Sequence, residues 1–209
     1  MTVQEVDNSL ITNEIVFTKP GWETRLARLI SHVGSPPVWI VSMMLLAASV
    51  VNAVMWGDTA VYLTLILLIP LAYVAYLVQQ GKATDFDVSV RRQRVIPMFV
   101  SLAGSVAGLL YFAVVSAPRL LIMLAVANLI STFVIAVVTV FWKISVHSAT
   151  SAAGAVLFWG LLGTPVFFLA VPLIMWSRVK LGRHTLTQTL AGVLLGISVL
   201  GLTFLFGNL

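Results

Sequence analysis

Cysteine is absent from the 209 residues, and charge is scarce: 9% of positions are Asp, Glu, Lys or Arg, and histidine occurs three times. Without cysteine there is no disulfide and no thiolate metal site. So little charge, with 60% apolar residues and a mean hydropathy of +1.05, excludes an ordinary soluble globular domain. The short alternating segments of a β-barrel are missing too. The first 37 residues lack an early apolar core and carry Glu5, Asp7 and Glu14, so they do not read as a signal peptide.

What is present is a series of uncharged apolar runs near the roughly 20 residues that cross about 30 Å of hydrocarbon. The expected fold is all-α: a polytopic transmembrane bundle of six to seven spans, preceded by an interfacial helix. Residues 1–37 form the juxtamembrane segment and 38–209 the transmembrane domain. In "WETRLARLISHV" the residues Leu26, Leu29, Ile30 and Val33 recur at helical spacing among Arg25 and Arg28, as in a helix lying at the headgroups. Pro36-Pro37 breaks it.

Spans are expected over residues 38–56, closed by a turn at Gly57-Asp58, then 60–79 with a kink at Pro70, 95–115 and 120–142. Residues 145–178 are too long for one crossing, about 50 Å at 1.5 Å per residue. Gly163-Thr164-Pro165 favours a hairpin of two short spans, 146–162 and 165–177. The last span covers 186–206. Gly104 with Gly108, and Gly192 with Gly196, are i, i+4 pairs that let helices pack closely.

This count puts the loops at 81–94, 143–150 and 177–185 on one side of the membrane. Eleven of the twelve Lys and Arg fall in them or in the N-terminal segment, and only Arg119 lies opposite. By the positive-inside rule that side is cytoplasmic, in the cell membrane. The loops hold Lys82, Asp85, Asp87, Arg91, Arg92, Arg94, Lys143, His147, Arg178, Lys180, Arg183 and His184. Clustered Arg and Lys suit a phosphate, and two histidines can serve as nucleophile or base and as acid. Arg92, Lys180 and Arg183 read as headgroup anchors, and His32 as an interfacial residue.

The residues Ser177-Arg178, five more, His184, three more and Gln188 resemble the third motif of the type 2 phosphatidic acid phosphatases (the PAP2 superfamily), which ends in Asp. "LAGVLLG" continues the likeness. Lys143-Ile-Ser145-Val-His147 is similar to the second motif, Pro-Ser-Gly-His. The run from Asp87 through Arg91, Arg92 and Arg94 to Pro97 stands where the first motif, Lys, six residues, Arg-Pro, is expected. The resemblance implies that His184 attacks phosphorus to give a phosphohistidine and that His147 protonates the leaving oxygen. Arg178, with Arg91 or Arg94, binds the phosphoryl oxygens, and Ser145 donates to them. Lys143 supplies the cation that the altered first motif lacks. No metal and no cofactor are needed. Gln188 replaces the Asp that orients the nucleophile, so a slower enzyme, or help from a carboxylate such as Asp87 or Asp85, is expected. Gln188 also fits a capping box with Thr185.

The expected function is an integral membrane lipid phosphatase acting on a lipid phosphate or prenyl diphosphate, with membrane lipids as surroundings and no nucleic-acid partner. Two alternatives stand beside it. One is a Mg²⁺-dependent prenyl or alcohol phosphotransferase using Asp85 and Asp87. The other is a lipid-phosphate binding or transport protein without catalysis.

Overall fold

The computed structural model describes residues 21–51, 55–86, 88 and 90–207, with the backbone alone at Arg91 and Gly207. Every regular element among them is helical. Helix α1 (Trp22–Val33) ends at Gly34, and α2 (Pro36–Val50) starts on the proline pair, whose missing N–H groups cost nothing at a helix start. The first span closes near Val51 and not at Trp56. Gly57 and Asp58 lie inside the first turn of α3 (Trp56–Leu63), where the carboxylate faces the positive end of the helix. Tyr111 donates to that carboxylate at 2.7 Å.

Helix α3 continues through a π-helical stretch (Thr64–Leu68) into α4 (Ile69–Gln79). The expected disturbance at Pro70 takes this form. A proline ring collides with the carbonyl four residues back, here Ile66, and the wider π turn makes room for it. Helix α5 (Val95–Val114) follows a 3₁₀ turn at Arg91–Arg94, and α6 is Arg119–Phe141.

Ser145 caps α7 (Val146–Leu162), which ends at Gly163 in the left-handed conformation, φ 70°. Thr164 and Pro165 start a 3₁₀ turn (Pro165–Leu169) that leads into α8 (Ala170–Lys180). The chain thus folds back at Gly163, as a hairpin requires. Helix α9 (Leu186–Gly207) packs most extensively against α7. Five helical runs are long and apolar enough to cross a membrane: 22–50, 56–79, 92–114, 119–141 and 186–206. The seven expected spans therefore resolve into five full-length runs and a shorter pair, α7 and α8 with its 3₁₀ lead-in. At 1.5–2.0 Å per residue each of that pair is about 25 Å long. This is an integral membrane helix bundle.

The glycine pairs are the close approaches. A Cβ on Gly192 or Gly196 of α9 would sit 2.4 Å from Ser145 O or 2.2 Å from Ala149 O of α7. One on Gly104 of α5 would stand 2.3 Å from Leu65 O, in the π stretch. Between α5 and α6, in the bundle interior, Asn128 donates to Ser105 at 3.0 Å and Ser105 to the Ser101 carbonyl at 2.9 Å. Helix α1 packs against α8 through its buried Ala27 and Ser31.

Candidate active site

The tight α7–α9 seam brings the second and third sequence motifs together. Ser145 N–H donates to the Gln188 carbonyl at 3.2 Å, which joins the start of α7 to the start of α9. The Ser145 side chain accepts from Ser148 N–H and from the Ser148 hydroxyl. It is fully buried and does not line the adjoining cleft, so its observed work is capping. His147 follows on the first turn of α7 and faces the cleft.

Gln188 holds His184 and caps α9 at once. Its Oε1 lies 3.1 Å from Thr185 N–H and 3.2 Å from His184 Nδ1, while Gln188 N–H donates to Thr185 Oγ1. An N–H only donates, so the Thr185 contact identifies the Gln188 atom as the amide oxygen. An oxygen acceptor then requires the proton on His184 Nδ1, which leaves the Nε2 lone pair free of it. The capping box and the orienting contact are one structure.

Arg178 comes from the last turn of α8 and is almost wholly buried. Its Nη1 donates to His147 Nε2 at 3.4 Å and to Ser31 Oγ at 2.7 Å. Arg94, also buried, donates from Nε to the Val88 carbonyl at 2.6 Å. Val88 has φ 45°, a strained conformation for a β-branched residue. The turn at Val88 aims its carbonyl at the guanidinium.

These groups share one cleft of about 330 Å³. Arg94, His147, Arg178 and His184 line it, together with the neutral Ser101, Asn128 and Thr132 and a larger set of apolar residues that includes Ile66, Leu67 and Val74. The α1–α2 elbow, Ser35 to Pro37, forms part of its wall.

The charges show in the local electrostatics. Burial, then Lys143, Arg94 and Arg178, push the His184 imidazole down to about 3, against a small upward effect of Gln188. Burial, then Arg94, Arg178 and Arg183, lower the Lys143 ammonium from its usual value. In both, burial is the largest cause and the neighbouring cations add to it. Lys143 donates to the Arg183 carbonyl and does not line the cleft. It acts on the site through its field.

The expected site residues thus divide. Arg94, Arg178, His147 and His184 converge, with Gln188 behind His184. Asp87 and the Arg91 side chain lie outside the described residues. Asp85 pairs with Arg183 at 3.2 Å, and Lys180 pairs with Glu23 of α1. Arg183 and Lys180 are therefore engaged in internal ties as well as standing at the membrane edge. Among the described residues no three of His, Asp and Glu gather as a metal-holding group. Sequence reasoning missed Ser31. Its position, 147 residues from Arg178, carries no local signal; only the packing of α1 on α8 reveals it.

Residues 133–208 match the family model of the PAP2 superfamily. The match runs from the second half of α6 to the end of α9, so it contains both histidines, Arg178 and Gln188. No curated protein and no solved structure matches the chain. The match covers 76 of the 209 residues.

Proposed function

We propose that this protein is a metal-independent lipid phosphatase that hydrolyses a lipid phosphate or prenyl diphosphate through a phosphohistidine. The observation that carries the reading is the single cleft lined by Arg94, Arg178, His147 and His184 together with a larger set of apolar residues. The substrate's phosphoryl group lies among the arginines, and its tail follows the apolar residues.

His184 Nε2 attacks phosphorus. The bond from phosphorus to the bridging oxygen breaks, and His147, protonated once the phosphoryl group replaces its Nε2 as an acceptor for Arg178, delivers a proton to that oxygen. Water then attacks the phosphohistidine, with His147 taking the water's proton, and inorganic phosphate leaves. Arg178 and Arg94 stabilise the equatorial oxygens, and because they are buried and fixed they need little rearrangement in the transition state. The low basicity of His184 keeps the nucleophile neutral at working pH. Its orientation rests on Gln188 Oε1, which fixes the tautomer without adding negative charge. The positive-inside bias supports the cytoplasmic face for this chemistry.

The test is phosphate release from phosphatidate, lysophosphatidate and prenyl mono- and diphosphates, with and without EDTA, in wild type and His184→Ala. Wild-type turnover that survives EDTA, with none in His184→Ala, is expected. Full activity in the alanine variant would reject the nucleophile. Arrest by EDTA would favour the Mg²⁺-dependent phosphotransferase, a reading weakened by the engagement of Asp85 with Arg183. One observation favours a second reading: an amide stands where the superfamily motif has a carboxylate. Lipid phosphate binding without turnover, and no trapped phosphohistidine, would make this a binding or transport protein.

A further inference from the structure

Helix α1 presents three faces. Trp22, Leu26, Leu29 and Val33 form an exposed apolar stripe at i, i+4, i+7 and i+11. Arg25, Arg28 and His32 form a second, polar face. Ala27 and Ser31 are buried against α8. A helix that lies in a membrane interface needs only the first two. The third is a docking face, and two further features hold it down: the Glu23–Lys180 ion pair, and Gly34, where a Cβ would meet the Ile174 side chain at 2.7 Å.

At the centre of this contact Arg178 Nη1 donates to Ser31 Oγ at 2.7 Å while also facing His147 Nε2 at 3.4 Å. One guanidinium nitrogen carries two hydrogens, and these two acceptors account for both. A buried guanidinium needs acceptors, and the kind of acceptor matters. A carboxylate at this position would neutralise the arginine and compete with a phosphoryl group. A serine oxygen is neutral: it fixes the plane of the guanidinium without placing a negative charge beside it.

We propose that Ser31 is a positioning residue of the phosphate site, by which the N-terminal interfacial helix orients Arg178 toward a phosphoryl group. The proposal rests on the anion-binding part of the function proposed above. It assigns α1 to the site, although the superfamily match begins only at residue 133.

The test measures orthovanadate binding to the full chain in lipid nanodiscs by isothermal titration, which needs no turnover. In parallel it measures kcat/KM on a lipid phosphate, competitive inhibition by the dephosphorylated lipid alcohol, and melting temperature. Ser31→Ala keeps the small packing volume and removes the acceptor. It is expected to weaken vanadate and to lower kcat/KM by about tenfold each, since a hydrogen bond to a charged group is at stake. Alcohol inhibition stays at the wild-type value, and melting temperature falls by only about 2–4 °C, as the loss of one acceptor of a buried guanidinium predicts. Ser31→Thr restores vanadate binding, and Ser31→Asp weakens it more than alanine does.

Vanadate affinity unchanged in Ser31→Ala, no rescue by threonine, or an equal loss of alcohol binding would each overturn the proposal; the last would mean a general packing role. An inactive wild type whose vanadate binding still falls in Ser31→Ala would sink the phosphatase reading and uphold this one. A wild type that binds no vanadate would overturn both.

Discussion

Two polar clusters lie in this bundle, and they are built differently. The one inside, Asn128, Ser105 and Thr132, is neutral and joins the neighbouring helices α5 and α6. The one at the membrane edge is cationic and draws on α1, the 81–94 loop, α7, α8 and α9. Its contacts include Ser31 with Arg178, Asp85 with Arg183, and the Ser145 N–H with the Gln188 carbonyl. Neutral side-chain bonds deep in a membrane act as modest glue between helices. Charge is tolerated where loops and water are near, and it is costly enough there to mark a use. The comparison separates a neutral cluster that joins helices from a cationic one on which the proposed chemistry draws, although Asn128 and Thr132 line the same cleft as His184.

The sharpest way to break the comparison is at His184. Replacing it with alanine should lower lipid phosphate turnover by about 10⁴-fold or more, read by phosphate release, since the proposed mechanism makes His184 the nucleophile. The fold should survive, because the side chain lines a cleft. Arg178→Lys comes next. It keeps the charge and loses the planar fork that reaches Ser31 and His147 together, so kcat/KM should fall by about 100-fold. Wild-type kinetics for that variant would show that a point charge suffices.

Gln188→Glu should act in the opposite direction. It retains the length that reaches Thr185 N–H and His184 Nδ1 and adds the missing negative charge. The loss of such a charge costs a serine protease triad about 10⁴, so even a partial gain predicts a rate increase of roughly tenfold. A slower variant would show that the neutral partner suits this site.

The pH dependence sharpens the same point. The His184 imidazole stays neutral down to about 3, so the wild-type kcat/KM profile should carry no limb from its protonation between pH 7 and 4. The unfolded chain takes up that proton near 6.5, and the folded chain only near 3. Stability should therefore fall as the pH drops through that window. In Gln188→Glu the carboxylate favours the imidazolium, so the limb should move up into the measured range.

The smallest effect is expected in the other cluster. Asn128→Leu should change stability by about 0.6 kcal/mol, as judged by denaturation in detergent, and leave kcat unchanged. A large loss of kcat there would dissolve the distinction between the two clusters.

Composition and periodicity alone determined that this is a helical membrane protein, because a chain with 9% charge and repeated apolar runs has no soluble solution. Local chemistry also settled the break at Pro36-Pro37 and the reversal at Gly163, where a left-handed residue before Thr-Pro cannot continue a helix. The motif spacing around His184 was legible because a helix start fixes which residues face each other: Gln188 stands four positions on. The π turn before Pro70, the displaced end of the first span and the capping duty of Ser145 were not legible. Each depends on which neighbour a backbone group meets.

Only the tertiary structure decided the rest. Sequence spacing says nothing of residues 147 positions apart, so the docking of Ser31 on Arg178 had to come from the packing of α1 on α8. The convergence of His147 and His184 rests likewise on glycines that let α9 press against α7. Contacts between distant segments are fixed by the shapes of the packed helices, and no local pattern encodes them.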